Sequence, residues 1–527
     1  MASEDKIHTT ETRLAVWAPA GSKRVACTEG FCVERERSCC SLKYVVSSNK
    51  PKQRGWGNEQ QEVSGAVVLR AQESFVHGEG PEVLSTSVRK QGMTQRSQET
   101  LTTKLQRITE RSKSDFRSEY SHLMPIISKE ALAACFQQLD GRKAVGSDGV
   151  TKEGYGKALD VNLTVLINRM KAMTYRPKPM RLVEIPKADG TTRPISIACT
   201  EDKLVEQMFS RILTAIYEPI FKDFSYGFRP ARSAHMALKT VHRGLFESRD
   251  AHVIDVDLAD YFGSIDHDKL LLILRMRIKD ERFLRYITRF LKVGNMTPNG
   301  PVTRTRGVPQ GSILGPILSN IYAHYCIDCW FSNEAKAGNF PSTRLVRFAD
   351  DILAYAESKD EAEAFLRKLK ERLGRCGLET NASKTRIAVF SRRKFESGHT
   401  TDSFAFLGFT FFLSRSLKGK SVPKVTTDRK RLRKKLAELT LWCSQNRSRY
   451  TLSEFWPIFV AKVQGHINYF AVSTNLPAVE AYVYQARMIV FKWLNRRSQR
   501  RSLTWERFAL FLTAKGFPRV VVHHKLF

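Results

Sequence analysis

What this 527-residue sequence lacks narrows the reading first. No run of 18 or more apolar residues occurs, so no bilayer-spanning helix is predicted. The opening residues, MASEDKIHTT, have no basic segment followed by an apolar one, so export is not expected. Ten cysteines in a chain this long make no disulfide framework, and a reducing cytoplasm is the expected setting. Cys27, Cys32, Cys39 and Cys40 have no histidines nearby at zinc-finger spacing, so no zinc site is expected there. Cys326 and Cys329 of CIDC fall in an apolar, helix-like run and read as buried structural thiols. Acidic residues are scarce beside basic ones: 53 Asp+Glu against 86 Lys+Arg leave a net charge of +33. An excess that large points to a polyanionic partner, with Lys and Arg supplying the phosphate contacts.

What is present divides along the chain. A hydrophobic share of 42% is enough for a packed core, and the length implies more than one domain at roughly 100–200 residues each. Residues 1–100 show no periodicity and read as a poorly ordered extension. From about Ser112 the pattern sharpens. SKEALAACFQQLDG predicts a capped helix ended by Gly141, and Leu163, Leu166, Ile167 and Met170 share one face of the next helix. RLVEIPKADGTTRPISIAC reads as strand, turn, strand around Asp189-Gly190. Leu204, Met208, Ile212 and Ile216 then recur at helical spacing. EAEAFLRKLKERLGRCG is an amphipathic helix with Gly377 as its C-terminal stop.

Helices and strands therefore mix from 101 to about 415, which predicts an α+β domain, and 416–527 is expected to be almost wholly helical. That last segment carries 23 Lys+Arg against 5 Asp+Glu from Arg415 onward. In DRKRLRKKLAELTLWC, Leu432, Leu436 and Leu439 form one stripe and bases cover the rest. Such a helix packs by one face and offers the other to phosphates.

LVRFADDILAYA, residues 345–356, places two adjacent aspartates inside an apolar run. Like charges side by side raise each other's pKa unless a cation neutralises them. A solvated Asp-Asp turn between two short strands is one reading. The other is a metal site: two-metal phosphoryl transfer needs carboxylates that hold two divalent cations about 3.5–4 Å apart. VIDVDLADYF supplies the complement, with Asp255 and Asp257 on the same side of a strand at period two.

Seven blocks in order carry a resemblance: GSDGVT, IPKADGTTRPISI, SYGFRPARSAHMAL, DVDLADYFGSIDHDKL, GVPQGSILGPILSNIY, VRFADDILAYA, and NASKT with FLGF. Together they look like the fingers and palm of a bacterial group II intron reverse transcriptase. GHINYFAVSTN and FKWLNRRSQRRSLTWERF resemble the same family's thumb/maturase domain. The resemblance implies a right-hand polymerase with a C-terminal all-helical thumb/maturase domain. It implies an RNA-directed DNA polymerase that binds group II intron RNA, assists splicing and copies the intron into DNA during retrohoming. Partners would be that RNA, a DNA target or primer and dNTPs; whether the chain acts as a homodimer stays open. A splicing cofactor with vestigial polymerase, and a domesticated relative in DNA repair or phage defence, are the alternative readings.

Carried over residue by residue, the resemblance makes Asp257, Asp350 and Asp351 the catalytic carboxylates. Two Mg2+ ions, replaceable by Mn2+, would be held by these and the Leu258 carbonyl; Asp255, two residues before the motif, either supports them from behind or is a solvated or capping carboxylate. Phe262 matches the bulky gate that rejects a ribose 2′-hydroxyl. Lys187 and Arg193 match the cations on the incoming triphosphate, and Gln310 the nucleotide-pocket lining. Lys384 matches a palm lysine able to protonate a leaving group. Arg229 and Gly408 match template-side and primer-grip positions. Two departures stand out: Phe348 replaces the usual Tyr, and GSILGP replaces the commoner Gly-Gly and Ser-Pro forms. The sequence ends at VVVHHKLF with no His-Asn-His or paired-Cys nuclease module, so second-strand cutting is not expected, and His523-His524 read as a tail.

Overall fold

A computed structural model describes residues 100–186, 192–497 and 503–526. Lys187 and the N-terminal cysteines lie outside the described residues. Eleven strands in three sheets frame the described chain: β1 (Met180–Pro186), β2 (Thr192–Ile197), β3 (Asp250–Val256), β4 (Asn295–Thr297), β5 (Gly300–Val302), β6 (Arg344–Phe348), β7 (Asp351–Ala356), β8 (Arg386–Ser391), β9 (Phe404–Phe406), β10 (Phe409–Arg415) and β11 (Ser421–Thr427). Their orders are β2-β1-β4-β5, β6-β7-β3-β8 and β11-β10-β9.

The second sheet is wholly antiparallel and its central strands are buried by apolar side chains. Helices form where the periodicity predicts them. Leu204, Met208, Ile212 and Ile216 are all buried along Thr200–Tyr217, and Leu163, Leu166, Ile167 and Met170 along Leu159–Lys171. Ser128 caps Lys129–Gln138 by accepting from the Ala131 amide, but the helix ends at Gln138, with Leu139 extended, and not at Gly141. Gly377 does follow the end of Lys359–Arg375, and the Leu378 amide closes back on Leu373.

The C-terminal part differs from expectation in one element. Residues 416–427 are not helical: β11 pairs with β10 from Ser421 opposite Arg415 to Thr427 opposite Phe409, and every second β11 residue is buried. The expected boundary at 415/416 falls in the turn of this hairpin. The residues of β11 alternate in burial at the strand period, a signal that the Lys and Thr on its outer face obscured. Helices Arg429–Asn446, Leu452–Phe470, Leu476–Leu494 and Trp505–Lys515 follow. One apolar core runs from the second sheet through Phe404, Phe409 and Phe411 to Trp442, Phe455, Phe459 and Ile467. Across it, Leu439 is buried and Leu432 and Leu436 pack at the edge, while Arg429, Lys430, Arg431, Arg433, Lys434 and Lys435 stay exposed. His523 and His524 are docked rather than free: both amides donate to Ala471 O, and the His524 ring stacks on His235 at 3.5 Å.

Candidate active site

Register explains how three carboxylates meet. β3 and β7 are antiparallel with Val256 opposite Ile352, so Asp257 directly follows the end of β3 at the same end of the sheet where Asp351 opens β7. The β6–β7 hairpin turns on Ala349 and Asp350, because Phe348 pairs with Asp351. Only Asp350 is therefore a turn residue; Asp351 opens β7. Likewise Asp257 does not share β3 with Asp255, since the strand ends at Val256.

Electrostatics separates these groups from ordinary surface acids. Burial lifts the Asp351 carboxyl to about 7, with Asp350, Asp257 and Asp255 adding to the rise and Arg431 opposing it, although solvent still reaches the side chain. Burial also raises Asp350; the Arg193 charge works against that rise and Asp257 adds to it. Asp255 rises to about 6, first by burial, with Arg386 opposing. Lys384 Nζ stands 3.3 Å from Asp257 Oδ2, and the Asp257 carbonyl accepts from the Asn381 amide at 2.7 Å. Lys384 and the NASKT loop thus hold the residue that follows β3.

Sequence reasoning missed what fixes the hairpin. Arg347, fully buried on β6, donates from Nε to Asp328 Oδ1 at 2.7 Å and from Nη2 to Asp328 Oδ2 at 2.5 Å. It also donates to Asn320 Oδ1, Ser225 Oγ and Ala349 O. All five guanidinium donors are used, one of them on the carbonyl just before Asp350. Asn320 in turn donates to Gly227 O at 2.7 Å. The SYGF, SNIY and VRFADD blocks therefore converge on one buried arginine. A lone charge in the apolar run HYCIDCW was the available signal, since a buried Asp needs a partner.

The β1–β2 hairpin acts on the same place. Arg193 on β2 is exposed, and its charge acts on Asp350. The loop bearing Gln310 is clasped between β2 and the segment after β3: Ser196 N donates to Gln310 O at 2.7 Å, and Val308 N to Phe262 O at 2.8 Å. Gly311, at φ 104°, lies so close that a Cβ would stand 2.7 Å from Ser196 O. Half-buried Phe262 has Phe228 as an edge neighbour at 6.4 Å. Behind the loop, fully buried Glu206 accepts from the Ile313 amide at 2.8 Å, its Oε1 has no hydrogen-bond partner, and burial lifts it to about 7.

On the primer side the two expected residues diverge. Arg229 is turned inward, with Nε and Nη2 on Glu218 and Nη1 on Lys222 O and Ser225 O, so its guanidinium is not available to a template. Glu218, eleven residues earlier, captures it. Gly408 instead forms a two-residue turn with Leu407, at φ 84°, and a Cβ there would collide with the Arg431 guanidinium. The Asp428 amide donates to Gly408 O at 3.0 Å, tying the basic helix to this turn. Arg431, which sequence reasoning assigned no individual role, thus lies over Gly408 and acts on Asp351.

The donor set suits a hard divalent cation. Three carboxylates supply oxygen ligands, burial first and then neighbouring aspartate charge raises two of them, and the Leu258 carbonyl accepts no hydrogen bond among the described residues. The side chains are not yet converged: among the described residues no three His, Cys, Asp or Glu groups stand ready around one ion, and Asp257 is turned to Lys384. Also among them, no helix is long and apolar enough to cross a membrane.

Comparison with known proteins agrees with this geometry. The family described as Reverse transcriptase (RNA-dependent DNA polymerase) matches residues 185–411. Protein YkfC of Escherichia coli (strain K12) is 31% identical over 334 residues, 57% of this chain and 85% of that protein. Group II intron-encoded protein LtrA of Lactococcus lactis subsp. cremoris is 33% identical over 223 residues, 42% of this chain and 37% of LtrA. A putative COX1/OXI3 intron 1 protein of Saccharomyces cerevisiae is 24% identical over 431 residues, 67% of this chain and 50% of that protein. The alignments to the intron proteins thus span half or less of their length.

Proposed function

The chain belongs to the reverse transcriptase family, RNA-directed DNA polymerases that depend on divalent metal, and on that premise we propose that Asp257, Asp350, Asp351 and the Leu258 carbonyl hold two Mg2+ ions against an incoming dNTP. Asp257 and Asp350 are the nearer ligands in this reading. When bound, the ions supply Lewis-acid chemistry, lowering the pKa of the primer 3′-hydroxyl and neutralising the leaving pyrophosphate. Mn2+, with the same preference for oxygen donors, would substitute.

The chain's own residues do the positioning. Arg193, with Lys187 of the same sequence block, holds the triphosphate, where fixed cations stabilise charge developing in transfer. The clasped Gln310 loop lines the base, and the Phe262 ring occupies the space that a 2′-hydroxyl would need. Lys384 pairs with Asp257 at 3.3 Å and, in this reading, gives a proton to the departing pyrophosphate. Gly408 and Arg431 receive the primer backbone, a guanidinium being a good fork for phosphate. Residues 101–415 act as fingers and palm, and 416–527 as the thumb/maturase part.

The RNA partner in this reading is group II intron RNA, which the chain would bind as a maturase in the cytoplasm and copy during retrohoming. The basic excess of the last 113 residues supports it. The observation that carries the whole reading is that Asp257, just past β3, and Asp350 both act on Asp351 at the start of β7, with Arg193 acting on Asp350 from β2. Primer extension on an RNA template with dNTPs and Mg2+ tests it. Extension by wild type that vanishes in Asp350→Ala is expected; no extension by a folded, RNA-binding wild type would leave only a splicing cofactor.

A further inference from the structure

The C-terminal helices present an exposed aromatic and basic face that the reading above assigns no role. Along Leu476–Leu494, Tyr484, Met488 and Lys492 recur every four residues and are exposed, and Arg496 follows just beyond the helix. Residues four apart stand above one another on a helix, so they make one stripe. Trp505, the first residue of the next described helix, lies nearly parallel to Phe491 at 3.7 Å between centroids, with 47% of its own surface open. Met488, Phe491, Lys492, Asn495, Arg496 and Trp505 line a cavity of about 550 Å3. That lies within the about 300–1,000 Å3 range of small-ligand sites.

Two features select the occupant. The wall is aromatic and thioether, and both charges on its rim are positive. Lys492 and Arg496 both line the cavity, and their charges lie 5.7 and 5.3 Å from the Trp493 ring centroid. A second copy of a chain carrying +33 would meet that rim with like charge. An open aromatic face beside cations is how single-stranded nucleic acid is received: bases stack on rings while the backbone follows the positive charge. A base already stacked in a duplex has no free face to offer.

We propose that this pocket holds an unpaired nucleobase of the RNA partner, stacked on Trp505, with the adjoining phosphates on Lys492 and Arg496. The proposal deepens the RNA-binding reading above and rests on it. Asn495, whose side-chain amide donates to Leu503 O and accepts from Leu503 N, fixes the floor rather than reading the base.

The test uses the full chain with its palm occupied by excess primer–template duplex. Binding of a fluorescent 12-nucleotide single-stranded oligoribonucleotide is compared with that of a paired RNA hairpin. Trp505→Ala should bind the single strand roughly tenfold more weakly, as loss of one base–aromatic stack implies. Hairpin binding should stay unchanged, and Trp505→Phe should restore single-strand affinity. Equal loss on both RNAs, no loss on either, or dimers of wild type that Trp505→Ala dissolves would overturn the proposal, the last marking a protein interface. Should Trp505→Ala fail to fold, a 4-thiouridine oligonucleotide is photocrosslinked to wild type instead. Adducts at Met488 or Trp505 are expected, and adducts only elsewhere overturn the proposal. Primer extension by the same wild-type preparation reads the polymerase separately, so the two can fail independently.

Discussion

Two charged sites lie on one hairpin and solve opposite problems. Arg347, on β6, has every donor matched inside the protein, and its partner Asp328 is held below the ordinary carboxylate range by that guanidinium despite complete burial. Three residues on, burial raises both Asp350 and Asp351, Asp257 adds to each and Asp350 adds to Asp351, and the opposing charges of Arg193, Arg347 and Arg431 do not bring either back to the ordinary range. The first site is self-compensated and fixes the turn. The second is left uncompensated, which costs stability but leaves oxygen donors free for a ligand. A chain keeps such a site where function requires it.

The sharpest way to break this contrast is through activity. Asp350→Ala should abolish primer extension, a loss of at least about a thousandfold if the metal site goes with it, while melting no lower than wild type. Loss of fold would place Asp350 among the structural charges instead. Arg347→Met should do the reverse: removing one partner of a buried pair costs about 3–5 kcal/mol, read as a lower urea midpoint. Activity of the folded fraction would also fall, because Arg347 holds the carbonyl just before Asp350.

Sugar selection comes next. Phe262→Ala should raise ribonucleotide incorporation relative to deoxynucleotide by roughly tenfold or more, measured as the kcat/KM ratio of the two on one template. A third buried charge, Glu206, offers a pH readout. Its pKa is about 7 in the fold, above the ordinary 4.5, so the neutral form is the one folding favours. Stability from this group is full below about 4.5 and is lost as pH rises through 7. Glu206→Gln should therefore flatten part of the decline in melting temperature between pH 5 and 8; an unchanged slope would mean the carboxyl is not held as described. The smallest effect belongs to Arg431→Ala, which should weaken primer–template binding a few-fold and lower the salt slope by about one unit.

How much was legible in the sequence follows from how local each feature is. Helix faces and the β6–β7 hairpin depend on neighbours within a few residues, and Leu204, Met208, Ile212 and Ile216 are buried as their spacing predicts. Asp257, Asp350 and Asp351 were visible because like charges in apolar runs stand out. What was hidden depends on partners far along the chain. Arg229 looks like a template contact until Glu218 is seen to hold it, and Asp328 looks incidental to its cysteines until Arg347 is placed beside it. Arg431 is one base among six on its helix, and only the tight turn at Gly408 singles it out. β11 was missed because its buried face, Ser421, Pro423, Val425 and Thr427, is itself half polar, and Lys424 and Thr426 face outward between them.

The most direct test compares melting temperatures of wild type and Asp350→Asn at pH 8, in EDTA and in excess Mg2+. With EDTA the Asn variant should melt higher, because one of the mutually repelling charges is gone, and Mg2+ should raise wild type while leaving the variant nearly unmoved. An equal Mg2+ response in both proteins, or a variant less stable than wild type in EDTA, would mean that these carboxylates are not the uncompensated pair awaiting a cation.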